Sequence, residues 1–411
     1  MPHALCPPPK SLQSEIKNSN RIGLKKKILY FTAYFFAYNW YSTDFFNLLN
    51  PKPMQKPIKI LSLDGGGTRG LFPSTILRCI EQETGKSPVE IFDVIAGSAT
   101  GGIITAALAA GLPVSDIVDI YLNKASFILP SNFFRKLWNP VNLFAPKYPN
   151  KNLKALLTEK LGAQRTLKDV YDRYGTKPVF ILAALDMSPD LQPGESPEFK
   201  VTIYNSCMTA VENEKLVDVA LRNSAAVVNL PLYEHFTEGG NYANDPAMIG
   251  LAFALNNKNE SAAGASRLAN KKMGLGASIG EVKIFSLGCG LTGSSYVPRD
   301  KIGKGSWGIL KWTRYLTNLV IDTGMIATQY YIREILDSNQ YYRINPYYRA
   351  PDAPEVLKNK KLKIDVTDAE QLAAIKEYAE QIFSEKKEEI MNFLELETST
   401  AKIKNQPINT L

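Results

Sequence analysis

Histidine is nearly absent from this 411-residue chain: there are only His3 and His235. That excludes a multi-histidine metal cluster and leaves a Ser-His-Asp triad one plausible base, His235. The four cysteines, Cys6, Cys79, Cys207 and Cys289, lie far apart with no CxxC pair. Neither a zinc knuckle nor a disulfide framework is indicated, and a reduced, cytosol-like compartment is the default. No metal or other cofactor is expected. Internal repeats are lacking, as is any Pro/Gly/Ser-rich linker that would separate a second domain in the body of the chain.

Excess charge is also lacking over most of the length. The formal net charge is +8, yet residues 1–60 hold nine Lys/Arg against two acids, leaving about +1 for the rest. The basicity belongs to an N-terminal extension, so no nucleic-acid-binding face is expected on the body. Within that extension, Lys25-Lys26-Lys27 precedes an uncharged aromatic run, Ile28 to Thr43. At 16 residues the run is shorter than the ~20 needed to span a bilayer. It starts too late and is too aromatic for a good signal peptide. Tyr30, Tyr34 and Tyr38 fall at helical spacing. Such a helix either packs its rings on the body or lies at a membrane interface with the lysines facing anionic lipid. A cytoplasmic protein, with peripheral membrane attachment and export without a signal peptide left open, is the expectation. A second uncharged stretch, Val94 to Ser115, is interrupted by glycines at 97, 101, 102 and 111 and reads as a buried turn and helix.

The chemistry starts at residue 57. Ile58 to Leu63 is a short apolar strand that runs into Asp64-Gly65-Gly66-Gly67-Thr68-Arg69-Gly70, and Leu71 to Glu83 reads as a helix. A strand, a glycine-rich turn and a helix N-terminus present free backbone N–H groups to an anion, either a phosphate or a developing oxyanion. Walker A is excluded because no Gly-Lys-Ser/Thr follows. Asp-Gly-Gly-Gly-Thr is also similar to the phosphate loop of actin-like-class sugar kinases, but there the turn joins two strands of a hairpin. A second element has the same plan: the strand Phe92 to Ala96, then Gly97-Ser98-Ala99-Thr100-Gly101-Gly102, then a helix from Ile103 to Ala110. This is a Gly-x-Ser-x-Gly nucleophile elbow with Ala99 at the centre. Ser98 does not substitute, because such a turn points only its central side chain into the site. Third, Glu238-Gly239-Gly240 ends an apolar segment and offers a candidate general base. Fourth, Val282 to Gly290 reads as a buried strand ending in a glycine turn.

In order and spacing these elements resemble the patatin-like phospholipase family, with the resemblance running over roughly residues 57–385. The similar parts are the DGGGxRG loop at 64–70, the family's GxSxG elbow at 97–101, Glu238-Gly239-Gly240 against the family's Asp-Gly-Gly loop, and Ser286-Leu287-Gly288-Cys289-Gly290 against SLGTG. Tyr341 to Pro346 and a helix from about Asp368 also look like the C-terminal part of bacterial members. The resemblance implies a three-layer α/β/α fold with a mainly parallel sheet. It implies a Ser-Asp dyad that hydrolyses acyl esters of phospholipid or another acyl lipid at a membrane surface through an acyl-enzyme. It further implies an oxyanion hole at Gly65, Gly66 and Gly67 with Arg69 holding the loop, and a structural His235. A protein activator is left open.

Three departures accompany the match. Ala99 stands where the family has Ser, Glu238 where it has Asp, and Ser224-Ala225-Ala226-Val227 where it has Ser-Ala-Ala-Pro. Losing a nucleophile costs on the order of 10⁶ in kcat, so the chain as written is expected to be catalytically dead or nearly so. Two readings stay open: a phospholipase with its nucleophile removed, and a natural pseudoenzyme that binds lipid or a partner. The segment from Phe127 to Tyr148 is expected either to cover the site, with Phe133, Phe134, Leu137, Trp138 and Phe144 lining an acyl groove, or to pack in the core. Thr367 to Glu370 reads as a capping box, opening a helix with Leu372, Ile375, Ala379, Ile382 and Phe383 on one face. The expected organisation is an extension at 1–56, one domain at 57–385, and a helical end and tail at 386–411.

Overall fold

A computed structural model of the chain describes residues 56–130, 139, 142, 144–259, 265–268 and 271–397. The aromatic run at 28–43 and four of the five aromatic or apolar candidates of the cover (133, 134, 137 and 138) lie outside them.

Seven strands form one sheet: β1 (Ile58–Leu63), β2 (Val94–Gly97), β3 (Val179–Asp186), β4 (Lys200–Asn205), β5 (Phe236–Glu238), β6 (Val282–Leu287) and β7 (Tyr341–Ile344). Their order is β4-β3-β2-β1-β6-β7, with β5 also on β3. The pairs β3-β2, β2-β1, β1-β6 and β6-β7 are parallel, whereas β4 and β5 run antiparallel to β3. The sheet is therefore mainly parallel, as expected. The apolar runs of β1, β2, β3 and β6 are apolar on both faces because both faces are covered.

Alternation along the strands divides the core in two. Leu61, Leu63, Ile95, Phe180, Leu182, Phe285 and Leu287 point to one side. There they meet α1 (Leu71–Thr84), α2 (Thr100–Ala110), α3 (Val114–Asn123), α4 (Lys151–Leu161), α5 (Leu216–Asn223) and, later in the chain, α8 (Ala369–Leu394). Ile60, Val94, Ala96, Ile181 and Ile284 point to the other side, against α6 (Ala247–Leu255) and α7 (Ile309–Ile335). The result is three layers, helices–sheet–helices. In α8 the expected apolar face is buried. The cap differs from expectation: Asp368, one residue after Thr367, accepts the Gln371 N–H at 3.0 Å. A charged carboxylate is the stronger N-cap acceptor than a threonine hydroxyl.

The sheet order explains where the site lies. From β1 the chain goes to β2 on one side, and later strands fill the other side with β6 and β7. The loops after β1, β2 and β6 all emerge at the carboxyl edge, around that reversal, where open α/β sheets bind ligands. The turn after β1 enters α1 directly, not a hairpin strand, and β1 pairs only with parallel neighbours. The sugar-kinase reading is thereby overturned. No helix among the described residues is long and apolar enough to cross a membrane.

One close approach holds the first two loops together. A Cβ on Gly101 would stand 2.0 Å from the Leu63 carbonyl oxygen, so α2 starts with its backbone pressed on the end of β1. Gly101→Ala is therefore expected to destabilise the fold by about 1–3 kcal/mol through overpacking. Denaturant unfolding checks this, and an unchanged midpoint would contradict it.

Candidate functional site

Each of the sequence motifs reaches one cavity of about 950 Å³ at the carboxyl edge of the sheet. Its polar end holds Asp64 to Arg69, Ala99, Thr100, Glu238, Asn244 and Cys289. Its apolar part includes Ile103, Ile128, Leu153, Leu156 and Leu157. This contrast suits a ligand with a long apolar arm and one polar reacting group.

Ala99 has φ 47° and ψ −114°. Few non-glycine residues occupy that region, and it costs of order 1–3 kcal/mol unless the surroundings enforce it. Here they do: Gly97 and Gly101 are packed too closely for any side chain. The Thr100 and Tyr121 hydroxyls stand 2.6 Å apart, and the Tyr121 hydroxyl also donates to the Thr100 carbonyl at 3.0 Å. The neighbouring hydroxyls do not stand in for the missing one. Ser98 Oγ is buried without a partner and is not part of the cavity wall, and Ser224 Oγ donates to the Ala220 carbonyl at 2.7 Å.

The loop after β1 is fixed at both ends. The Gly65 N–H donates to the Asn244 carbonyl at 3.0 Å and the Thr68 N–H to the Ile364 carbonyl at 2.9 Å. Among the described residues, the Gly66 and Gly67 N–H groups make no backbone hydrogen bond of this kind. Gly67 sits at φ +62°, with the Ile364 carbonyl 2.1 Å from where a Cβ would be, so only glycine fits there. Arg69 donates to the Gly66 carbonyl at 3.3 Å and the Gly290 carbonyl at 2.9 Å, tying the loops after β1 and β6 together. A Cβ on Gly65 would lie 3.1 Å from Ala99 Cβ, which places loop and elbow in contact.

Glu238 ends β5, in register with Ala184 of β3, and is 7% exposed. Burial pushes its carboxyl up to about 7, opposed by hydrogen bonding from the Val227 backbone. A proline at 227 has no N–H to give, so two departures from the family pattern, Glu238 and Val227, meet in one contact. The pH consequence has a definite sign. The folded carboxyl holds its proton to about pH 7 and a free Glu only to 4.5, so stability falls as pH rises from about 4.5 to 7. Glu238→Gln removes that loss. It should be more stable than the parent by about 3 kcal/mol at pH 8, with the difference vanishing towards pH 4.5. Parallel urea titrations at the two pH values measure it.

Some site residues carry no motif. Asn244 reaches back to the Gly65 carbonyl at 3.4 Å through Nδ2, and it also abuts Gly240. Asp64, Asp245 and Arg343 form a buried ion cluster: Arg343 Nη1 lies 3.2 Å from Asp64 and 3.1 Å from Asp245. Burial by itself lowers the Arg343 pKa, but the two carboxylates raise it above its ordinary value, so the guanidinium stays charged. Asp64 follows the apolar run of β1 and Asp245 precedes that of α6, but their meeting was not readable because Arg343 lies about 280 and 100 residues away. Register explains the meeting, since Ser62, Ser286 and Arg343 stand abreast on β1, β6 and β7.

Two other candidates are set apart. His235 is half-exposed, with Nε2 3.5 Å from Asp186, and does not line the cavity. Of the proposed cover, Ile128, Leu129, Asn142, Lys147 and Tyr148 line the cavity, whereas Phe144, the one described residue among the five acyl-groove candidates, is 72% exposed and does not. Cys289 does line the cavity, but burial pushes its thiol up to about 12 and its Sγ sits 3.4 Å from the Asp64 carbonyl. It is not a replacement nucleophile at neutral pH.

A family model described as patatin-like phospholipase matches residues 61–251. Patatin-like protein 2 of Arabidopsis thaliana is 30% identical over 306 residues, covering 64% of this chain and 68% of its own. A cGAMP-activated phospholipase of Escherichia coli (strain TW11681) is 32% identical over 216 residues, 48% of this chain and 56% of its own length. Among solved structures, VipD from Legionella pneumophila aligns over 80% of this chain and 67% of its own, at 12% identity and a TM-score of 0.34. That superposition is too loose to bear on function.

Proposed function

The chain belongs to the patatin-like phospholipase family, and from that premise we propose that its cavity is an acyl-ester site, silent as written because Ala99 occupies the nucleophile position. The observation that carries this reading is the backbone of Ala99. A strained elbow, held between two close-packed glycines, displays a side chain that has nothing to react with. With a serine at 99, Glu238 would take its proton and the Gly66 and Gly67 N–H groups would face the developing oxyanion. Gly65 and Arg69 would shape that loop and not donate. The apolar branch would hold a fatty acyl chain of a phospholipid or related lipid. Backbone donors of this kind contribute about 10²–10³ each.

A second reading has its own support. The cavity and the free loop amides are formed without the nucleophile, so the chain as written would bind acyl lipid without cleaving it. Fatty-acid release from mixed phospholipid vesicles by Ala99→Ser, beside the parent chain, separates the two. Turnover supports the enzyme site, and its absence at pH 8 supports binding alone. One relative is by its name activated by cGAMP. Running the assay with and without cGAMP tests whether such activation extends to this chain.

A further inference from the structure

The outer face of α7 is apolar where a solvated helix would be polar. Its inner face meets the molecule through residues three and four apart, including Ile321, Met325, Thr328 and Ile332. The outer face carries Ile309 at 76% exposure, Leu310 at 90%, Leu316 at 43% and Val320 at 51%. Between Tyr315 and Ile332 the one charged residue is Asp322, which lines the cavity. An exposed apolar stretch of this size is covered in its working state.

The residues at its N-terminal end say what covers it. Trp307 packs on Trp312 and Tyr315, with ring centroids 5.2 and 5.4 Å away, and Lys311 Nζ lies 4.2 Å over the Trp307 ring. Residues 299–314 hold five Lys/Arg against one acid. Paired tryptophans, a tyrosine and lysines beside exposed aliphatics match the polarity gradient of a bilayer interface, with rings at headgroup depth and cations on anionic phosphates. A second copy of this chain on the same face would bring two net-positive segments together, which is unfavourable. The same helix forms a wall of the cavity through Ile321 and Met325, so a surface docked on α7 borders the entrance.

We propose that the outer face of α7 and the segment before it dock on an anionic lipid surface, placing the cavity mouth at the membrane. This rests on the reading of the cavity as an acyl-ester site, and binding is measurable without catalysis.

The test is co-sedimentation of the full chain with phosphatidylglycerol vesicles and with phosphatidylcholine vesicles. Ile309→Glu/Leu310→Glu is compared with the parent, both positions being exposed and away from the cavity wall. The parent should prefer phosphatidylglycerol and lose affinity with added salt. The double variant should bind at least about tenfold more weakly while its thermal melt is unchanged. Equal binding by parent and variant would overturn the proposal, because another face, including residues 1–56, would then hold the membrane. A parent that binds neither vesicle would overturn it. So would a variant that turns a dimer into a monomer with vesicle binding intact, since the occupant would then be a second copy. A second arm separates this proposal from the site reading. In the Ala99→Ser background, the α7 double variant should keep hydrolysis of a soluble short-chain ester and lose vesicle turnover by a similar factor. If Ala99→Ser hydrolyses neither substrate, the acyl-ester reading fails, while the sedimentation result still decides the docking face.

Discussion

Ala99→Ser is expected to raise ester hydrolysis by about four orders of magnitude over the parent chain. The estimate combines two opposed effects. Restoring a nucleophile is worth on the order of 10⁶ in kcat. Glu238 is one methylene longer than the family's aspartate, and a displacement of about an ångström in the base takes back ~10². The Val227 hydrogen bonding to Glu238 counts in its favour, since it orients the longer side chain. The pH profile adds a signature. With its carboxyl pushed up to about 7, Glu238 is largely protonated below that pH. Turnover should therefore rise tenfold per pH unit below about 7 and level off above it. Fatty-acid release across that range checks magnitude and shape together. Ala99→Ser/Glu238→Gln should return to the parent's rate. A double variant as active as Ala99→Ser would show that Glu238 is not the base.

Arg343→Met is expected to destabilise the fold by about 3–5 kcal/mol at neutral pH. Arg343 is 5% exposed and faces Asp64 and Asp245, at 1% and 0%. Removing the cation leaves two buried carboxylates facing each other without compensation, the costly way to break a buried ion cluster. The sign with pH follows. Burial already pushes the Asp64 carboxyl up to about 7 against the pull of Arg343, and without the cation it rises further, so the deficit grows as pH rises through that value. Guanidinium denaturation at pH 5 and pH 8 should show the larger loss at pH 8. Arg343→Met with Asp64→Asn and Asp245→Asn should recover much of it. Asp64 immediately precedes the three loop glycines and Asp245 follows Asn244, which receives the Gly65 N–H. The same change should therefore loosen the loop and lower the activity of Ala99→Ser even where the protein is still folded.

Much of the architecture was legible because local chemistry dictates it. The runs at 58–63 and 282–287 are apolar at every buried position except Ser62 and Ser286, and they form β1 and β6. The stretch from Val94 to Ser115 is legible as strand, turn and helix, because Gly97 and Gly101 stand where backbones meet and Gly102 where the Asn223 side chain packs. The loops after β1, β2 and β6 reach one cavity because each ends a parallel strand at the same edge of the sheet, and Glu238 reaches it from antiparallel β5. Other expectations fell short for physical reasons. Phe144 was a candidate by composition alone, and composition does not say which way a loop residue points. The cap at α8 moved by one residue, because Thr and Asp are adjacent and both satisfy the pattern.

The amino-acid sequence by itself determined the family, the strand–turn–helix units, and the absence of a hydroxyl at the elbow's centre, because each is written in residues a few positions apart. Only the tertiary structure decided the rest. It joined Asp64 and Asp245 to Arg343, set Val227 against Glu238, separated the bonded Gly65 amide from those of Gly66 and Gly67, and left one face of α7 uncovered beside the cavity mouth. The Val227–Glu238 contact bridges a short loop, and the others depend on strand register and crossover between segments far apart in the chain. Desolvation and hydrogen bonding act on neighbours in space, and those neighbours are set only once the sheet has closed.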